Sequence, residues 1–327
     1  MPQNGSGVKR NPTMRVFVYE YLTATGTGRE PGSPAHGMYR EGRAMRDAVA
    51  EDLSRVAGVS VSVYPDDTVR NEPGWWQLLI APEFNGILVQ LVEGVAVSGR
   101  PLLGPSVEAT RLTSDKLRLA AHWRAHDIPT PATTDREPTA CEAFPVVWKP
   151  RDGAGSTDTF LVRDRFELAQ ALANRDPARP MILQEFVPGR AASVAFLCGP
   201  RETVPLLPAF QLLGDDGRLK YEGGELPIPS DLAERAVKLG RRAVACVPGL
   251  LGYVGVDLVL GDAPDGSRDS AIEINPRLTT SYIGLRALAD FNIADVMLRV
   301  AAGEEVGELR WKPGRVRFGP DGAVRAV

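Results

Sequence analysis

The stretch Ala271-Ile-Glu-Ile-Asn-Pro-Arg277 places an acid, an amide and a guanidinium at every second position after a short apolar run. Side chains alternate between the faces of an extended strand, so Glu273, Asn275 and Arg277 are predicted to share one face. Carboxylate and amide oxygens suit Mg²⁺, and a guanidinium suits a phosphate or a developing oxyanion. The stretch therefore indicates a metal-binding strand. Taken alone, it is equally typical of a strand end with a solvated acid and a proline turn.

A further acid comes from the preceding apolar run, Tyr253-Val-Gly-Val-Asp-Leu-Val-Leu260. Two adjacent strands would bring Asp257, Glu273 and Asn275 together around one ion, Mg²⁺ or Mn²⁺. The two runs together favour metal binding over the solvated strand end.

A phosphate-binding segment is predicted upstream. Val146-Val-Trp-Lys-Pro150 has the composition of a short buried strand that ends in a lysine, and Arg151-Asp-Gly-Ala-Gly-Ser-Thr157 follows it. Small residues let backbone N–H groups approach phosphate oxygens, and a lysine adds a point charge. A hairpin turn is the alternative interpretation, because Gly-Ala-Gly is common in loops.

Five segments follow one another along the chain in an order that is typical of one superfamily. They are Ser114-Asp-Lys-Leu117, Trp148-Lys-Pro-Arg-Asp-Gly-Ala-Gly-Ser156, Leu183-Gln-Glu-Phe-Val-Pro-Gly189, Gly255-Val-Asp-Leu258 and Glu273-Ile-Asn-Pro-Arg277. With them, the chain resembles the ATP-grasp superfamily of carboxylate–amine ligases over residues 14–303. Within the superfamily, the opening Arg15-Val-Phe-Val-Tyr-Glu-Tyr-Leu22 and the run that starts at Glu273 look most like tyramine–glutamate ligases of methanofuran-type coenzyme synthesis.

The resemblance implies an α/β (α+β) ATP-grasp fold. Its expected parts are an N-terminal Rossmann-like parallel-sheet domain, a small lid subdomain and a C-terminal antiparallel-sheet subdomain. The corresponding ranges are 14–112, 113–190 and 191–310, flanked by a tail at 311–327 and a polar tail at 1–13 that is expected to be disordered.

The resemblance also implies residue roles. Lys116 and Lys149 would contact the phosphates of ATP, and Arg277 and Lys149 would be catalytic. A flexible lid loop and a hinge that binds adenine through its backbone would complete the nucleotide site. The lid loop comprises Gly153, Ala154, Gly155 and Ser156, and the hinge comprises Gln184, Glu185, Phe186 and Val187.

Two positions depart from the pattern of the superfamily. Many members carry a glutamate for the ribose two residues after the hinge glycine, where this chain has Ala191. Related peptide ligases often carry an arginine two residues before the metal aspartate, where this chain has Gly255. Phosphate stabilisation is therefore expected to depend more heavily on Arg277 and the lysines.

The implied reaction joins a small-molecule carboxylate to an amine through an acyl phosphate, with release of ADP and phosphate. Glutamate and tyramine, or a related amine, are the expected pair. An amino-acid or D-alanine-type ligase and a non-catalytic nucleotide-binding regulatory module remain alternatives. Candidate substrate contacts are Glu20, Tyr21, Thr23, Thr27 and Gly28, and downstream Thr279, Thr280, Ser281 and Tyr282.

Composition and charge indicate which classes of partner, such as nucleic acids or membranes, the protein is expected to bind. The 327 residues carry 38 Lys and Arg against 41 Asp and Glu, a net charge of −3 that does not suggest nucleic-acid binding. No apolar run approaches the ~20 residues that span a bilayer, and the N-terminus does not resemble a signal peptide. A cytoplasmic enzyme is expected, a homodimer is left open, and Cys141, Cys198 and Cys246 are expected to be reduced.

Hydrophobic periodicity and capping residues predict a small parallel sheet at the N-terminus, followed by several helices. The strands are expected at 15–22, 59–64 and 86–91, joined by a loop at 23–37 and a helix at 38–56. Further helices are expected at 115–126 with Ser114 as N-cap, 165–174, 230–247, 283–289 and 293–302.

Overall fold

The computed structural model describes residues 14–65, 73–136, 143–153, 158–173, 176, 178–214 and 217–327. The expected N-terminal tail, Cys141 and the lid-loop residues Ala154, Gly155 and Ser156 lie outside the described residues. The strands are β1 (Met14–Glu20), β2 (Val59–Val63), β3 (Trp75–Ile80), β4 (Thr133–Thr134), β5 (Val146–Pro150), β6 (Phe160–Val162), β7 (Met181–Glu185), β8 (Arg190–Cys198), β9 (Thr203–Pro205), β10 (Ala209–Leu213), β11 (Tyr221–Leu226), β12 (Gly252–Leu260), β13 (Ser270–Asn275), β14 (Val316–Phe318) and β15 (Val324–Ala326). The α-helices are α1 (Tyr21–Thr25), α2 (His36–Ser54), α3 (Ile87–Val97), α4 (Val107–Thr113), α5 (Lys116–Ala125), α6 (Arg165–Ala173), α7 (Ser230–Ala245), α8 (Ser281–Leu288) and α9 (Ile293–Ala301).

The first sheet is parallel, in the order β2-β1-β3, which confirms the predicted parallel sheet. The strand predicted at 86–91 is wrong, because that run lies mostly in α3, and the third strand is β3. Helix α3 buries Leu88, Val92 and Val95, which share one face at helical spacing. Periodicity alone does not separate a short apolar strand from a buried helix, and the many β-branched residues of this run favoured the wrong choice.

Two larger sheets carry the remaining strands. The smaller has the order β4-β7-β5-β6 and is antiparallel. The larger runs β13-β12-β8-β10-β11-β14-β15, with β9 paired to β8, and is also antiparallel. Together with the parallel sheet they form the mixed α and β architecture that the sequence predicts.

Strand alternation in the large sheet decides which residues face helices and which remain for a site. On β8, Val194 and Phe196 pack into a core with α7, whereas Leu197 packs into the core that contains α8 and α9. On β12, Val256 and Leu258 face the α7 core. Asp257 lies between these two residues and therefore points to the opposite face.

Most predicted helices are confirmed to within two residues at 165–174, 230–247, 283–289 and 293–302. The short α1 covers the end of the predicted strand at 15–22 and the start of the predicted loop at 23–37. The N-cap of α5 is Asp115, not Ser114: its carboxylate accepts hydrogen bonds from the N–H groups of Leu117 and Arg118. None of the helices in the described ranges is long and apolar enough to cross a membrane.

Candidate active site

A cleft of about 510 Å³ lies where the four-stranded sheet faces the large antiparallel sheet. Within the described residues it brings together every residue predicted for nucleotide binding, metal binding and catalysis. From the four-stranded sheet side come Lys149, Gly153, Gln184, Glu185, Phe186 and Val187; from helix α5 comes Lys116; and from the large sheet come Asp257, Glu273, Asn275 and Arg277.

The acidic corner of the cleft is built by β12 and β13. Asp257 and Glu273 are direct partners in the antiparallel pairing, and a bulge follows at the next position. Because of the bulge, both Ile272 and Glu273 line the cleft, while Ala271 and Ile274 remain in the core. Asn275 Nδ2 donates to Asp257 Oδ2 at 3.2 Å. Two carboxylates and an amide thus converge on one point.

The charges in this corner are unequal. Burial and the adjacent Glu273 carboxylate raise the pKa of Asp257 to about 7. Burial also opposes ionisation of Glu273, but the charges of Lys116 and Lys149 outweigh it and lower the pKa of that carboxyl. A cation between the carboxylates would remove their mutual repulsion.

The donor set fits a hard divalent cation that takes its other ligands from outside the protein. Carboxylate and amide oxygens are what Mg²⁺ prefers, and Mg²⁺ usually keeps waters or phosphates among its ligands. Among the residues that the structure describes, no group of three or more His, Cys, Asp or Glu side chains is arranged to hold a metal. Asp257, Glu273 and Asn275 would therefore supply only part of a coordination shell.

Two lysines lie close to the acidic corner formed by Asp257 and Glu273: Lys116 comes from α5 and Lys149 from β5. The Lys116 ammonium lies 3.2 Å from Glu273 Oε2 and donates to the carbonyl of Gly153 at 3.1 Å. Lys149 is only 6% exposed, and its burial lowers the pKa of the ammonium to about 8, an effect that the negative charge of Glu273 opposes. Asp115, the N-cap of α5, also pairs with Arg151 at 2.7 Å, which ties Lys116 to the end of β5.

Arg277 is held by an acid that sequence reasoning missed. Its Nη2 donates to Glu83 Oε2 at 3.0 Å, and its Nε lies 2.8 Å from Glu83 Oε1. Burial acts against the guanidinium charge, but Glu83 outweighs it and raises the pKa of Arg277. Glu83 lies shortly after β3. Because the sequence patterns did not predict β3, they gave no reason to consider an acid at the end of that strand.

The hinge presents one free backbone donor. The N–H groups of Glu185 and Phe186 donate to Ala132 and Pro145 at 2.8 and 3.4 Å. Within the described part of the chain, the N–H of Val187 has no such partner. The Gln184 side chain is committed to the sheet, since its Nε2 donates to Thr133 Oγ1 at 3.0 Å. Apolar walls surround the hinge: Val147, Leu161, Phe186, Leu213, Leu219 and Val259.

The structure accounts for one departure from the superfamily pattern. A side chain at Gly255 would begin 2.6 Å from Thr279 Cγ2, so an arginine does not fit there unless Thr279 moves. At the other departure, Ala191 lines the cleft beside Ser193 and Gln211. Both of these neighbours are polar, whereas Ala191 itself offers no group to a ribose hydroxyl.

The predicted substrate contacts divide into two sets. Thr279, Thr280 and Ser281 line the cleft, but Tyr282 does not, because its hydroxyl is buried against Asp52 at 2.8 Å. The carboxylate of Glu20 accepts hydrogen bonds within its own turn instead. None of Glu20, Tyr21, Thr23, Thr27 and Gly28 lines the cleft.

Two further polar groups of the cleft came from no sequence motif. Glu41 reaches it from α2, and Tyr221 reaches it from β11. Neither lies in a recognisable motif, and both come to the site through packing between distant elements. Burial, together with the nearby carboxyl groups of Glu41 and Asp257, raises the pKa of the Tyr221 hydroxyl well above the usual value.

Comparisons with known proteins identify the family. A profile of the ATP-grasp domain matches residues 113–281. A tyramine–L-glutamate ligase from Methanocaldococcus fervens is 28% identical over 318 residues, which cover 89% of this chain and 95% of the relative.

Solved structures show the same fold. An ATP-grasp superfamily protein from Archaeoglobus fulgidus superposes with a TM-score of 0.67 at 26% identity, covering 93% of this chain and 92% of that one. An L-amino acid ligase from Bacillus licheniformis superposes with a TM-score of 0.65 at 14% identity, covering 94% and 80%. The match over more than half of the residues and the cleft that carries its motifs lead to one conclusion. The chain belongs to the ATP-grasp family and is an ATP-dependent ligase that forms carbon–nitrogen bonds.

Proposed function

We propose that the protein joins a carboxyl group of glutamate to tyramine or a related amine through an acyl phosphate, releasing ADP and phosphate. The observation that carries the mechanism is the convergence of Lys116 and Lys149 with Asp257, Glu273 and Arg277 in one cleft. The substrate pair is suggested by the M. fervens relative, whose sequence is matched over nearly its whole length.

The chemistry requires activation of a carboxylate, since its oxygen is a poor leaving group at neutral pH. In the first step a carboxylate oxygen attacks the γ-phosphorus of ATP, and the bond to the bridging oxygen of ADP breaks. In the second step the amine nitrogen attacks the acyl carbon, its proton is lost and phosphate leaves. Neither step requires a side-chain nucleophile.

The charged groups that the sequence predicted for this site each have a place in the scheme. Lys116 and Lys149 would bind the phosphates, and Asp257, Glu273 and Asn275 would hold Mg²⁺, which neutralises charge on the phosphate oxygens. Arg277 would stabilise the oxyanion on the acyl group, because a positive group aimed at developing charge lowers the barrier. Glu83 keeps its guanidinium in one orientation.

The test is a product analysis with ATP, Mg²⁺, glutamate and tyramine, in a matrix that includes other amino acids and amines. We expect ADP and phosphate in equal amounts with an amide. Glutamate labelled with ¹⁸O in its carboxyl groups should pass one label to phosphate. Formation of AMP and pyrophosphate, or unlabelled phosphate, would rule out the acyl phosphate. Amide formation only between two amino acids would instead identify an amino-acid ligase.

A further inference from the structure

Glu41 is a cleft acid with no assigned role. It projects from α2 and lines the main cleft together with Arg277, Thr280 and Tyr221. Its Oε1 accepts a hydrogen bond from the Thr280 hydroxyl, and the Tyr221 hydroxyl lies close enough to both groups for each to affect its pKa. The three side chains come from α2, the segment before α8, and β11, so only the complete fold assembles them.

Apart from Asp257, which is assigned to the metal, the other acids around this end of the cleft already have partners. Glu83 is paired with Arg277, Glu273 with Lys116, and Glu20 with two backbone N–H groups. Glu41 forms no ion pair with any described residue. Burial raises the pKa of its carboxyl, opposed by the Thr280 hydrogen bond and the charge of Arg277. Arg277 does not turn towards it, because Glu83 occupies the guanidinium.

A secluded carboxylate without a cationic partner is costly, and a bound cation removes the cost. We propose that Glu41, with the hydroxyls of Thr280 and Tyr221, forms a subsite for a primary ammonium group of a substrate. A carboxylate and two hydroxyl oxygens match the hydrogen-bonding needs of an ammonium, which has three donors and no acceptor. The inference rests on the proposed function, because both expected substrates carry such a group.

The surroundings of Glu41 favour an ammonium on a carbon chain over a free inorganic cation. Glu41 and Arg277 also line a smaller adjoining cavity of about 40 Å³. Its other walls are Glu20, whose carboxylate is held by its own turn, Gly42 and six apolar residues: Leu22, Met38, Met45, Ile80, Ala81 and Pro82. A cavity of this size accepts a methylene or two, and the flexible methionines can adapt to a larger group.

The ammonium is either the amino group of the acid substrate or the protonated form of the attacking amine, which must lose one proton to Glu41 before its nitrogen can attack. Arg277 lines the same cleft as Glu41, so either source would bring the substrate towards the guanidinium. If Glu41 binds the amino group of the acid, its loss should raise the KM of the acid. If it binds the attacking amine, its loss should raise the KM of the amine.

The decisive variant is Glu41→Gln, which removes the charge and keeps the shape. A charge-assisted hydrogen bond contributes about 1.5–3 kcal/mol, so KM for one substrate should rise about 10- to 100-fold. The Kd of ATP should change less than about twofold. If the KM of tyramine rises, Glu41 binds the ammonium group of the amine substrate. If the KM of glutamate rises but that of glutarate, which lacks the amino group, does not, Glu41 binds the amino group of the acid substrate. Asp47→Asn, on the exposed face of the same helix, is the matched control.

A second variant covers the case in which Glu41→Gln does not fold. Tyr221→Phe should raise the same KM by a smaller factor, because it removes one neutral hydrogen bond. Unchanged KM values for both substrates in both variants, or in whichever folds, would overturn the subsite.

A binding measurement separates this inference from the proposed reaction. If the wild-type protein makes no amide, calorimetric titration of tyramine and of glutamate into protein loaded with a non-hydrolysable ATP analogue still tests the subsite. Binding of either compound that Glu41→Gln weakens at least tenfold would support it. Equal binding by the two proteins, or no binding of either compound to wild type, would contradict it.

Discussion

The charged residues of the cleft are expected to act at different stages of the reaction, some when the nucleotide binds and others only in the transition state. Lys149 is buried at the end of β5 with its ammonium directed into the cleft, so it can meet the nucleotide before any bond changes. Arg277 is held by Glu83 and is assigned to charge that develops only during transfer. Contacts made before the transition state lower KM, whereas contacts made only in it raise turnover.

Lys149→Ala should therefore weaken ATP binding by about tenfold or more, and Arg277→Ala should mainly slow turnover at nearly unchanged ATP affinity. Calorimetric ATP titrations paired with steady-state rates would measure both effects. Lys238→Ala removes an exposed lysine from α7 and serves as the control. Loss of ATP binding in Arg277→Ala would contradict the role given to Arg277, and unchanged ATP binding in Lys149→Ala would contradict the role given to Lys149.

Glu83→Gln tests whether the orientation of Arg277 matters. The substitution leaves a buried guanidinium without its counter-charge, which costs about 3–5 kcal/mol of folding free energy. Turnover should fall at least about tenfold while ATP affinity stays the same. Chemical denaturation and rate measurements would check both effects, with Glu93→Gln as an exposed control. Wild-type turnover in Glu83→Gln would show that Arg277 needs no positioning partner.

Substitution of the carboxylates on the paired strands β12 and β13 is expected to cause the largest loss of activity. Asp257→Asn or Glu273→Gln should reduce turnover more than about a hundredfold at saturating Mg²⁺ if both hold the ion. Folding should change little, because both side chains face the cleft. Asp262→Asn, at an exposed position just beyond β12, should keep full activity. Near-wild-type rates in both cleft variants would remove the metal assignment.

At the scale of elements, the position of the site depends on how closely α7 packs on β8. A methyl group at Gly240 would lie 2.8 Å from the ring of Phe196 and from Val194. The absence of a side chain there lets the helix approach the strand, and this packing supports the sheet that carries Asp257. Gly94 on α3 has open space around it.

Gly240→Ala should destabilise the protein, because overpacking costs about 1–3 kcal/mol and exceeds the gain of about 1 kcal/mol in helix propensity. Gly94→Ala should stabilise it by about 0.5–1 kcal/mol, since only the propensity changes. Urea denaturation of both variants would measure the difference. Equal stability changes would show that the α7 contact relaxes at no cost.

At the scale of the whole molecule, the cleft lies between separate sheets that ATP would join. The parallel sheet contributes as well: the N–H of Asn85, after β3, donates to Asp152 Oδ2 at the start of the glycine-rich segment, at 2.9 Å. Glu83, two residues earlier, holds Arg277. One short segment thus contacts both Asp152, at the start of the glycine-rich segment, and Arg277.

A ligand that contacts both antiparallel sheets should stabilise the whole protein. At 100 times its Kd, ATP with Mg²⁺ would add about 2.7 kcal/mol to the free energy of unfolding and raise Tm by several degrees. Thermal melts with ATP, with and without Mg²⁺, would measure the shift. In Lys149→Ala the shift at the same ATP concentration should shrink. No shift in the wild-type protein would argue against nucleotide binding in this cleft.

The sequence by itself determined the parts of the answer that are encoded locally. The run around Glu273 carries its functional side chains at strand spacing, and the lysine of Val146-Val-Trp-Lys-Pro150 ends its strand, so pattern and residue chemistry were enough to group them. The parallel sheet and most helices followed from periodicity and caps. The helical run of α3 was misjudged because its apolar residues suit a strand as well as a buried helix.

Only the tertiary structure decided which distant side chains complete the site. Glu83 meets Arg277 across 194 positions of the chain, and Glu41 meets Thr280 across 239. Neither acid is marked by a neighbouring residue, because its contact partner belongs to an element that is distant in the sequence. The reverse holds for Glu20, whose carboxylate is taken up by its own turn. Local patterns report chemistry that a segment carries with it, whereas pairing and burial of charges exist only once the segments have packed.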